Sequence, residues 1–101
     1  MATAGELHPT DGIRMLLTLE RDDGTSAVYS AAVYTPDDAF EYRATLDQSG
    51  SAELVAAAAP ATPEHEKKLA NLAKSTARAA ARKSADGLEP WPSRILRWRA
   101  D

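Results

Sequence analysis

The chain has 101 residues, a size for one domain with one core, and 44% of them are apolar. It carries a net charge of −3 and no cysteine, which excludes disulfides, thiolate nucleophiles and cysteine metal sites and agrees with a reducing, cytoplasmic setting. The longest apolar run, LVAAAA at 54–59, is far below the ~20 residues of a membrane span, so no membrane partner is expected.

The opening MATAGELHPT has neither the basic region nor the apolar stretch of a signal peptide. Residues 1–11 read as a flexible leader to a single domain over 12–101. From Ile13 the pattern has period two. Ile13, Met15, Leu17 and Leu19 alternate with Arg14, Leu16, Thr18 and Glu20, which predicts a half-buried strand over 13–20. The Asp-Gly of RDDGTS turns the chain. AVYSAAVYT at 27–35 makes a second strand, apolar on both faces and so expected within the sheet. PDD at 36–38 turns again. AFEYRATLD at 39–47 puts Phe40, Tyr42, Ala44 and Leu46 on one face, and after QSGS a fourth strand fits 52–57.

The grammar then changes. Thr62-Pro63 reads as helix cap and first helical position, Glu64 and Glu66 suit the positive end of the helix dipole, and Gly87 suits the far end. The helix is predicted over 63–85. Leu69, Leu72, Ala73, Thr76 and Ala80 gather on one side, and Lys67, Lys74, Arg78 and Arg82 on the other. Pro90 and Pro92 bar its continuation. The tail predicts a strand over 93–99 with Leu96 and Trp98 on one face and Ile95, Arg97 and Arg99 on the other. Its tryptophans are expected to add volume to an alanine-rich core. The fold expected is α+β: a three- to four-stranded antiparallel meander, one long helix packed across it, and a C-terminal strand or extended segment.

The chemistry is sparse. His65 in EHEKKL lacks the second histidine four residues on that a zinc-binding helix needs, because position 69 is Leu. It reads as a solvated first-turn residue, and His8 falls in the leader. Asp22-Asp23 and Asp37-Asp38 read as turn residues whose side chains bond local backbone. No glycine-rich phosphate loop or nucleophile elbow occurs. Neither an enzyme, a metal nor a cofactor is expected.

Charge is the one organised signal. Residues 1–66 carry twelve acids and three bases; residues 67–101 carry nine bases and three acids. The candidate partner-binding surface is Lys67, Lys74, Arg78, Arg82, Arg94, Arg97 and Arg99. The leading expectation is a small non-enzymatic bacterial interaction or accessory module that takes a protein partner or self-associates. The alternative is nucleic-acid binding, with these cations on phosphates and tryptophans stacked on bases, although the acidic overall balance, pI ≈ 5.3, speaks against it. A second alternative is a small enzyme or ligand binder whose site no motif marks.

Overall fold

A computed structural model describes residues 7–100. Among these residues the sheet strands and the long helix follow in the order β1 (Ile13–Asp22), β2 (Ser26–Tyr34), β3 (Ala39–Asp47), β4 (Ala52–Ala56), α1 (Pro63–Ala85) and β5 (Arg94–Arg99). The strands form one antiparallel sheet with spatial order β4-β3-β2-β1-β5. The meander therefore grows in sequence order, and the last strand returns to the outer side of the first. The strand count is five, because both the fourth strand and the C-terminal one pair. Part of the expected leader, residues 1–6, lies outside the described residues.

Local side-chain chemistry makes each turn. At the β1–β2 hairpin, Asp23 Oδ1 accepts from the backbone N–H groups of Thr25 and Ser26 at 3.0 and 2.8 Å, and Asp22 Oδ1 from that of Gly24 at 3.0 Å. The Ser26 N–H, ahead of its other partners, holds the Asp23 carboxyl below the usual range. Asp47 does the same work at the β3–β4 turn, where the Ser49 hydroxyl first and its N–H next stabilise the carboxylate. Between β2 and β3, Thr35 Oγ1 accepts from the Asp38 N–H at 2.9 Å. Asp22, Asp23 and Asp47 thus serve as turn residues through their side chains, whereas in the turn holding Asp37 and Asp38 the side chain that bonds the backbone is that of Thr35 and not the aspartates expected.

Helix α1 starts at Thr62, whose side chain accepts from the His65 N–H, with Pro63 in the first turn. It ends in a Schellman arrangement: Leu88 N–H donates to Lys83 O at 2.8 Å and Gly87 N–H to Ser84 O at 3.1 Å, with Gly87 at φ 74. His65, Leu69, Ala73, Thr76, Ala77 and Ala80 are buried along its sheet-facing side. His65 is thus a buried residue and not the solvated one expected. It precedes Leu69 by one turn and shares its face.

The helix makes its close backbone approaches to β2, β3 and β4. The core between the layers is built from Ile13, Met15, Leu17, Tyr29, Val33, Leu46 and Leu69, all essentially inaccessible, and from the helix alanines, whose small side chains let α1 lie close to the sheet. The Tyr42 hydroxyl pins the start of the helix: it accepts from Ala61 N–H and donates to Glu66 Oε2, both at 2.8 Å. Burial first, and the Glu66 carboxylate second, push the Tyr42 phenol upward.

The tail corrects one expectation. In β5 the residues facing the helix side are Ile95, Arg97 and Arg99, because they stand opposite Leu17, Met15 and Ile13. Leu96 and Trp98 lie on the outer face, and Trp98 is 46% exposed. Trp98 is a surface-packed residue: its Nε1–H donates to Asp11 O at 2.9 Å and its ring closes over Gly12. At Gly12, φ 70, a Cβ would stand 2.5 Å from Arg99 O and 3.0 Å from the Trp98 ring, so no side chain fits there. The core tryptophan is Trp91, which is buried, packs edge-on to Tyr29 at 6.5 Å between centroids and donates to Gly24 O at 3.0 Å.

Candidate anion-binding groove

Because α1 crosses the β2–β4 side of the sheet, a gap remains between the helix and β5. It forms a groove of about 570 Å³. One wall is helical: Lys68, Asn71, Leu72, Ser75, Thr76, Ala79, Arg82 and Lys83. These recur at three- and four-residue intervals, as one flank of a helix must. The other wall is Pro92, Arg94, Ile95, Arg97 and Arg99. Leu72, Ile95 and Ala79 make an apolar floor, and six cations stand around it.

Among the described residues, no carboxylate lines this groove. Among the described residues, none of the six cations has a carboxylate within 4 Å; the ion pair they contain is Arg43 with Glu20, 3.7 Å apart on the other face of the sheet. Three of the groove cations bond to backbone oxygens instead. Lys68 Nζ donates to Ala100 O at 2.9 Å, joining the helix to the far end of β5. Arg97 Nη1 donates to Leu96 O at 2.9 Å and Arg99 Nη1 to Trp98 O at 2.8 Å.

The structure divides the seven residues of the sequence-based surface. Arg82, Arg94, Arg97 and Arg99 come together at the groove. Lys67, Lys74 and Arg78 are exposed on the helix but line no part of it; Arg78 leans over the β3–β4 turn, its Cγ close above Gly50. Sequence reasoning missed Lys68 and Lys83, with Asn71 and Ser75. Lys68 and Lys83 lie about 100° around the helix from Lys67 and Arg82 beside them, and the signal that marks all four is their place on the flank of Leu72.

A second depression, of about 690 Å³, lies on the outer face of the sheet and includes Leu16, Ser30, Ala32, Tyr34, Glu20, Glu41, Arg43 and Val55. Its charges are mixed and partly satisfied by one another: Glu20 takes both Arg43 and the Ser30 hydroxyl, the latter at 2.9 Å. The first groove is the one with a single sign.

His8 Nδ1–H donates to Thr35 O at 2.7 Å and its ring stands edge-on to Tyr34. Among the described residues, no three His, Asp or Glu side chains gather as a metal site would require, and no helix is long and apolar enough to cross a membrane. Comparison with protein-family models, with curated proteins and with solved structures finds no match.

Proposed function

We propose that this protein is a non-enzymatic interaction module of the bacterial cytoplasm whose groove between α1 and β5 takes an acidic segment of a partner protein. The observation that carries this reading is the groove lining: six cations around an apolar floor, with no carboxylate among the described residues that line it. Cations left without a counter-charge gain most from a partner that brings one, and arginine pairs with carboxylates through a planar fork. The apolar floor adds burial that charge alone does not supply.

Nucleic acid is the weaker reading on a specific ground. No aromatic side chain lines the groove, and Trp98 stands on the outer face of the sheet, so the stacking platform that single strands use is missing from the cationic surface. Self-association through β5 is also weaker. A second copy laid against that edge brings its own Arg94, Arg97 and Arg99 to face these.

The test is fluorescence anisotropy with labelled poly-glutamate peptide and, in parallel, single-stranded and duplex DNA. The expected result is salt-sensitive peptide binding that Arg82→Glu and Arg97→Glu each weaken by about tenfold or more, as loss of a charge-assisted pair predicts, while Lys74→Glu on the outer helix face has a smaller effect. DNA binding tighter than peptide binding reverses the assignment. Silence from every anion at low salt removes it.

A further inference from the structure

We infer that the outer edge of β5 is a docking strand, and that the acidic partner segment adds to it as a sixth strand of the sheet. This deepens the groove reading above and rests on it.

The backbone of β5 has a defined polarity. Leu19 N–H donates to Ser93 O at 2.9 Å, next in register to the Leu17–Ile95 pair. In an antiparallel ladder the residues that bond to a neighbour recur every second position. Ile95, Arg97 and Arg99 therefore turn their backbone groups to β1, and Leu96 and Trp98 turn theirs outward. The outward carbonyls in β5 are those of Arg94, Leu96 and Trp98, and Arg97 and Arg99 cover the last two with their guanidinium groups. Each cover is a single bond from an exposed, flexible side chain to the residue before it. A partner's backbone N–H can replace it, and the released guanidinium then meets the partner's carboxylate. An open edge guarded by charged side chains is a common defence against unwanted pairing; here the guards are also the ligands.

The two flanks of the edge specify the added strand. On the helix side it runs beside Lys68, Arg82, Lys83 and Arg97. On the other side it meets Leu96 and the half-exposed Trp98. Side chains of a strand alternate between faces, so the matching segment alternates acidic and apolar residues. Strand addition of this kind takes affinity from the main chain and specificity from alternate side chains. The other edge strand of a second copy does not fit: in β4, Glu53 and Val55 lie on the same face, opposite Thr45 and Arg43.

The probe is a labelled peptide of alternating Glu and Val, about as long as β5. Two further versions carry N-methyl groups on every Glu nitrogen or on every Val nitrogen. A strand added to β5 bonds through one alternate set only, so methylation of one set weakens binding by more than about tenfold while the other stays within a few-fold of the parent. Saturation with the parent peptide also slows amide exchange at Leu96 and Trp98. Parent binding that both methylated versions reproduce, or unchanged exchange at Leu96 and Trp98, overturns strand addition and leaves the cationic groove standing. Absence of any binding by the parent peptide and by poly-glutamate overturns both.

Discussion

Tyr29 shows how one side chain ties distant parts together. Its hydroxyl donates to Pro92 O at 2.7 Å, across 63 residues of sequence, while its ring packs on Trp91. Burial, and after it the charge of Asp22, push the phenol up to about 12 from an ordinary 10.0. The unfolded chain therefore releases this proton near pH 10 while the folded one keeps it. The linked stability is complete below about pH 10 and falls as pH rises toward about 12; Tyr42, shifted in the same direction, adds to the slope. Urea midpoints measured across this range should decline. Tyr29→Phe should flatten part of the decline while costing about 1 kcal/mol at neutral pH for the lost hydrogen bond. No reading of the sequence reaches the Tyr29–Pro92 contact, because it depends on which loop passes over which ring.

Among the elements, the meander and the helix were legible because their signals are local. Period two in AFEYRATLD, aspartates at the turns, and Thr62-Pro63 and Gly87 at the helix ends each carry their own physics. β5 was legible as a strand but not in its facing. Its two faces offer Ile95 with two arginines against Leu96 with Trp98, and hydrophobic mass favours the second. The pairing decides otherwise. β1 directs Ile13, Met15 and Leu17 toward α1, and antiparallel register puts Ile95, Arg97 and Arg99 on that same side. The consequence is measurable by denaturation. Trp91→Ala should cost about 3–5 kcal/mol as a core truncation. Trp98→Ala should cost roughly 1–2 kcal/mol, from partial burial and one hydrogen bond.

At the scale of the whole molecule, charge is segregated. The charge asymmetry along the chain was plain in the sequence, but the groove was not, since it is made where α1 stands away from β5. That gap is why Lys68 and Lys83 join the site and Lys67, Lys74 and Arg78 do not. Six cations around one groove repel one another, so the folded molecule carries a stability cost that salt relieves through screening. The thermal midpoint should rise between low and moderate sodium chloride, and the rise should shrink in an Arg82→Gln, Arg97→Gln variant.

The sheet order also sets a problem of timing. β1, synthesised before every other strand of the sheet, has the last of them, β5, as one of its two neighbours, and Leu17 waits for Ile95. Until that distant segment arrives, β1 holds out bare backbone beside Ile13, Met15 and Leu17, and any passing strand can take the place. The nascent chain thus has a window in which it is open to mispairing, and the Pro90–Pro92 bend, by aiming the last strand at β1, helps to shut it.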